Sequence, residues 1–247
     1  MHYRLLASLL PIGLIVATAS AQTPIGTPLA NGAATFAGTG IPNDHLMNYF
    51  ANGTVLSIGA QARCSGDLPW DGAGTYYASA GRYVPGTLGC SDQNWATWSF
   101  NFYINDAGNL NNYGLFYELT PGGPFGEVFI PGTALVGGPY SNASGHPADG
   151  IAENSWNLSM GFLSGIPVTA GVTPPAGLFN YNAPGEYQFG LLLVGANGNP
   201  LYDQNHALEG ASMIVDVTPE PATLVLLGTG LLGIGGVIRR RRKTQSV

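Results

Sequence analysis

Residues 98–119 read WSFNFYINDAGNLNNYGLFYEL, and their spacing decides the fold class. Trp98, Phe100, Phe102 and Ile104 are apolar at every second position, while Ser99 and Asn101 fall between them. A period of two marks a strand with one buried face, whereas a helix repeats every three to four residues. Asn105, Asp106, Ala107, Gly108 and Asn109 then break the pattern, and Asp, Asn and Gly are the residues that accept the left-handed backbone of tight turns. The expectation is a hairpin pairing 98–104 with 110–119.

Working outward, the same alternation runs through Leu56, Ile58, Ala60, Ala62 and Cys64, and through Leu158, Met160 and Phe162. It is strongest in Tyr187, Phe189, Leu191 and Leu193, where Leu192 and Val194 predict that the second face is covered too. Ala196, Asn197, Gly198 and Asn199 predict a second hairpin, from 187–194 to Leu201 onward. The chain has 37 Gly and 18 Pro, which leave no room for long helices between them. Short strands without helices predict a mainly β protein, an antiparallel β-sandwich of jelly-roll-like or immunoglobulin-like form, as one ectodomain over residues 22–217. The segments YGLFYELTPGGPFGEVF and FGLLLVGANGNPLYDQN resemble each other, but nothing recurs a third time, so they read as two similar hairpins.

The chain opens MHYRLLASLLPIGLIVATASA, with Arg4, an apolar run over 5–17 and the small triplet Ala19, Ser20, Ala21. That order is a secretory signal peptide over residues 1–21, cut by signal peptidase after Ala21 to leave Gln22 first. The run is interrupted by Pro11 and is too short to span a ~30 Å hydrocarbon core. Between Gln22 and Pro221 only Arg63 and Arg82 stand against all 14 Asp and Glu, a net charge of −12. Such a domain repels phosphate backbones, which excludes nucleic acid as a partner, and it has no basic patch for an anionic membrane. Cys64 and Cys90 are the only cysteines. In an oxidising compartment they are expected to pair as a disulfide.

No motif for a nucleophile elbow, a zinc helix, a phosphate loop or a dinucleotide fold occurs in its required context. His146 with Asp149, and His206 with Glu209, are three apart, a spacing that aligns ligands only on a helix; no residue is assigned to a metal. The turns holding Asn105, Asp106 and Asn109, and Asp203 and Asn205, offer oxygen ligands suited to Ca2+, although turn chemistry alone explains them. A glycosidase would need two convergent carboxylates among Glu118, Glu127, Glu153 and Glu186, and spacing shows no such pair. Trp70, in the loop between the cysteines, and Trp95, of opposite parity to Trp98, are the candidates for stacking on sugar rings; capping of the sandwich is the plainer reading. Asn52, Asn142 and Asn157 open N-x-[ST] triplets, which chance supplies in an Asn-rich chain.

The tail has three parts in fixed order: Pro219, Glu220 and Pro221; an apolar stretch 222–238 with five glycines; and Arg239, Arg240, Arg241 and Arg242 within a basic tail 239–247. Seventeen residues make a helix of ~25 Å, a marginal transmembrane span, and the arginines place its C-terminus in the cytoplasm. This order resembles the PEP-CTERM sorting signal of Gram-negative bacteria that make extracellular polysaccharide, with Thr218 where the family often has a Val-like residue. The resemblance covers about 25 to 30 residues from Thr218 onward. It implies recognition and cleavage by exosortase, an integral membrane enzyme, and hence passage through the inner membrane to the cell surface or medium. The expected function is a non-enzymatic, structural or adhesive surface or biofilm-matrix protein without a cofactor. The alternatives are an exopolysaccharide-binding module and, further off, a secreted hydrolase.

Overall fold

Alternating side chains become alternating faces once strands pair, and the computed structural model shows twelve of them among the residues it describes, 23–31, 44–63, 66–82, 95–135 and 150–219. In chain order they are β1 (Thr27–Asn31), β2 (Asp44–Ala51), β3 (Thr54–Ala62), β4 (Gly66–Asp67), β5 (Thr75–Ser79), β6 (Trp98–Asn105), β7 (Asn112–Glu118), β8 (Phe125–Ile130), β9 (Ile151–Trp156), β10 (Val172–Thr173), β11 (Gly185–Val194) and β12 (Gly210–Thr218). Helical structure among the described residues is limited to two 3-10 turns, Gly132–Leu135 and Gly161–Ser164. One sheet runs β1-β2-β3-β6-β9, with β4 on the end of β3; the other runs β10-β8-β7-β11-β12-β5. This mainly β arrangement, with β2 and β3 against β11 and β12, is consistent with the sandwich predicted.

The layer between the sheets is aromatic. Trp98, Phe100, Phe102 and Ile104 of β6 all enter the core, as do Tyr187, Phe189, Leu191 and Leu193 of β11. Trp98 meets Tyr187 and Phe189 at ring distances of 5.6 and 6.0 Å, and Phe100 meets Phe189 at 4.9 Å. Leu192 and Val194 are buried on the other face, as expected. Ser99 and Asn101 are buried as well.

Three details correct the reading from sequence. First, 98–104 and 110–119 are not a hairpin. Strand β6 pairs with β3 and β9, whereas β7 pairs with β8 and β11, so residues 106–111 form an arch from one sheet to the other. The turn chemistry is as read, with φ of 50° at Ala107, 81° at Gly108 and 55° at Leu110, but the same period-2 pattern serves partners in one sheet or in two. Second, 195–199 does turn, through Gly195 N–H to Asn199 O at 2.9 Å, yet the mate of β11 is β12; after Pro200 a further turn at 203–207 intervenes. Third, Leu158, Met160 and Phe162 pack on the core from a turn and a 3-10 turn, because β9 stops at Trp156 and Asn157 folds back to donate to Ala96 O, Trp98 O and Ser99 Oγ. One pair, β12 with β5, is parallel; a long crossover leaves direction free where a tight hairpin would not.

Candidate functional site

The sorting tail follows an inner strand of the second sheet, paired on both sides. Strand β12 pairs with β11 from Gly210 to Val217 and with β5 from Ile214 to Thr218. Its end is clasped by Ala80 N–H donating to Thr218 O at 2.7 Å and Thr218 Oγ1 donating to Ala78 O at 3.3 Å. Val217 is buried, Thr218 and Pro219 are exposed, and Pro219 is the last described residue. Of the residues assigned from sequence, Ala19, Ala21 and Gln22, Cys64 and Cys90, Glu220 and Pro221, and Arg239 to Arg242 lie outside the described residues, as does the stretch 222–238. No helix among the described residues is long and apolar enough to cross a membrane.

Trp70 and Trp95 are both half-buried and both have partners. Trp70 bridges to Tyr76, with rings 5.9 Å apart, and stands 5.0 Å from the His45 ring. The Arg63 guanidinium lies 4.3 Å from the centre of the Trp95 ring, a cation–π contact. Sugar stacking on either ring would have to share or displace those contacts.

The Asp-rich turns are organised by their own backbone. Asp106 is fully buried at the arch, and its carboxylate accepts from the N–H groups of Leu110 and Asn111, Asn111 Nδ2 and the Tyr113 hydroxyl. Asn109 Nδ2 donates to Asn52 O and Thr54 Oγ1. On the exposed turn, the N–H groups of Ala207 and Asn205 reach the Asp203 carboxylate at 2.9 and 2.7 Å and hold its pKa below the ordinary carboxylate value.

Burial raises the pKa of Glu118, against a backbone N–H from Gln188 at 2.9 Å, and burial also raises that of Glu127. In each case burial is the leading cause, and neither carboxyl is raised by the charge of the other. Depressions among the described residues include an apolar and a polar one. An apolar groove of about 350 Å³ lies over Gly190 between Phe116, Phe125 and Tyr202. A polar cleft of about 320 Å³ gathers Tyr49, Asn52, Asn109, Asn111 and Glu209; burial and then the Glu209 and Asp203 charges raise the Tyr49 pKa.

A third cluster was not legible in the sequence. Asp44, His45 and Asp67 present ligand atoms within 4.8 Å of one another. Strand pairing explains the meeting. The β2–β3 ladder stops at Met47 opposite Ile58, and β4 takes over beside the end of β3, with Asp67 opposite Gln61. His45 turns the chain with φ 57°, its carbonyl accepting from the Tyr76 hydroxyl. Gly59 makes room beneath: a Cβ there would stand 2.6 Å from Leu46 Cδ2 and 3.4 Å from the His45 carbonyl. Only Asp44 and His45 are adjacent in sequence, and no spacing rule reaches Asp67.

A β-domain whose inner strand runs directly into Pro219, Glu220 and Pro221 defines a protein with a C-terminal sorting tail. The family model of the PEP-CTERM protein-sorting motif matches residues 217–242, so this segment of the chain carries a PEP-CTERM sorting motif. The motif supports sorting by exosortase to the cell surface. No curated protein and no solved structure matches the chain.

Proposed function

We propose that the chain is exported by its signal peptide, held briefly in the inner membrane by residues 222–238, and cut by exosortase near Pro219 to Pro221. The released β-domain then serves as a structural or adhesive component of the cell surface or extracellular matrix, without enzymatic activity. The carrying observation is that the sorting motif starts at Val217, inside the last strand, so the signal is joined to the fold without a linker. Pro219 and Pro221 lack N–H donors and disfavour helix before them, which keeps this junction extended and fit for a protease cleft. The test is to fractionate the native host and sequence both termini of the protein beyond the inner membrane. The reading expects an N-terminus at Gln22 and a C-terminus near Pro219 to Pro221, with Glu220→Ala leaving uncleaved protein in the inner membrane. Intact Arg239 to Val247 on the surface form, in a host that has exosortase, would make the tail a permanent anchor.

A second reading, binding of the producer's own exopolysaccharide, is favoured by the polar cleft. An aromatic ring beside amides and a carboxylate, Tyr49 with Asn52, Asn109, Asn111 and Glu209, is the chemistry that stacks on a sugar and bonds its hydroxyls. Retardation of the protein on the host polysaccharide, lost in Tyr49→Ala, is the expected result; equal retardation of the variant counts against the cleft.

A further inference from the structure

We propose that Asp44, His45 and Asp67 form a binding site for one divalent transition cation of the zinc class. The three side chains offer one imidazole nitrogen and two carboxylate oxygens, all within 4.8 Å of one another. Two further observations point to a ligand there. His45 Nδ1 is shut off from solvent and has no hydrogen-bond partner among the described residues; the cation is placed at this nitrogen, where coordination satisfies it. Neither aspartate side chain has a hydrogen bond or ion pair among the described residues, although the two carboxylates crowd each other. In a segment with only two arginines, a bound cation is the counter-charge that makes this crowding favourable.

The site is also fixed before any ion arrives. The backbone of His45 is anchored by the Tyr76 hydroxyl, and its ring lies 5.0 Å from that of Trp70. Asp67 is set by the register of β4 on β3. Such restraint lowers the ordering cost of coordination.

Ligand chemistry selects the metal. Imidazole with carboxylates suits zinc or a similar transition ion, whereas calcium takes six to eight oxygens. Three protein ligands leave the remaining positions to water, and the exposure of Asp67 keeps them open to solvent. Binding ties the start of β2 to β4 across the end of β3.

The test uses the untagged full-length chain, stripped with chelator and dialysed against zinc, with bound metal measured by elemental analysis. About one zinc per chain is expected, removable by chelator, with affinity reduced at least about tenfold in Asp67→Asn and in His45→Gln and unchanged in His206→Gln. The exposed Asp67 provides the variant least able to disturb folding, and its circular dichroism is expected to match the parent. In the parent, the imidazole nitrogen resonance that moves on titration is Nδ1. Absence of a bound equivalent, binding undiminished in both variants, or preference for calcium at these residues would each overturn the proposal.

Discussion

Replacing Asp106 by Ala tests whether the arch between the sheets is held by hydrogen bonds or by an ion. The substitution removes the acceptor for four donors: the N–H groups of Leu110 and Asn111, Asn111 Nδ2 at 3.3 Å, and the Tyr113 hydroxyl. Tyr113 is wholly buried, so its hydroxyl loses its carboxylate acceptor and keeps only the Asn111 and Thr54 side chains beside it, at about 1–3 kcal/mol. Leu110 is exposed and Asn111 half-buried, so water can replace their bonds, and those losses are about 0.5–1 kcal/mol each. Relief of the buried charge offsets part of this, leaving a net cost of about 3 kcal/mol. Asp106→Asn keeps the volume and one acceptor oxygen, and its cost is about 1–2 kcal/mol. Urea unfolding followed by tryptophan fluorescence measures both, first in chelator and then with calcium. With a slope of about 2 kcal/mol/M the Ala variant's midpoint falls by about 1.5 M. A midpoint unchanged in the Ala variant would refute the hydrogen-bond account. Calcium raising the midpoint of the parent but not of the variant would assign the turn to an ion instead.

Two further outcomes follow from the core and the cysteines. Burial lifts the phenols of Tyr76, Tyr113 and Tyr117 well above their ordinary range and pushes Tyr187 up to about 12, with the Glu118 charge adding to it. The folded chain therefore keeps protons that the unfolded chain releases above pH ~10, so this stability is complete below pH ~10 and is lost as pH rises further. Absorbance at 295 nm should show these tyrosines ionising only together with unfolding; ionisation near pH 10 in an intact fold contradicts their burial. Cys64 and Cys90 are expected to be linked, closing a loop of about 26 residues worth ~3.5 kcal/mol in the loop-entropy model. Two alkylatable thiols in the native exported protein would exclude the bond.

How far the sequence was legible depends on the distance over which each signal acts. Parity is local, and it placed the inner faces of β3, β6 and β11 correctly, from Leu56 and Ile58 to Phe189 and Leu191. Turn chemistry is local too, and the residues at 105–109 and 195–199 do turn. Which strand lies beside which is not local. The arch at Asp106 and a hairpin need the same left-handed residues, and only the buried carboxylate distinguishes them. Leu158, Met160 and Phe162 show the same limit, since apolar residues two apart can also pack from a turn followed by a 3-10 turn. The cluster of Asp44, His45 and Asp67 arises from strand exchange at the end of β3, an event with no motif. The tail was the opposite case: three consecutive chemistries in a fixed order, readable without any fold, and matched at residues 217–242.

That contrast predicts that sorting and folding are separable in this chain even though they meet at one residue. The clasp on Thr218, both ladders of β12 and the bonds between Ile25 and Ser212 all lie at or before Thr218. A chain ending at Pro221 therefore keeps every one of these bonds, and its stability should differ from that of the full chain by less than about 0.5 kcal/mol, the range of changes that touch no buried group. Glu220→Ala should likewise leave the unfolding midpoint unchanged while blocking processing. Val217→Asp should do the reverse of the truncation, because it puts an unpaired charge at a buried position of an inner strand and costs several kcal/mol. Thermal unfolding of the three proteins in the same detergent separates the cases. If truncation at Pro221 lowers the midpoint as far as Val217→Asp does, the tail is a structural part of the sandwich and its removal at the cell surface would carry a folding cost.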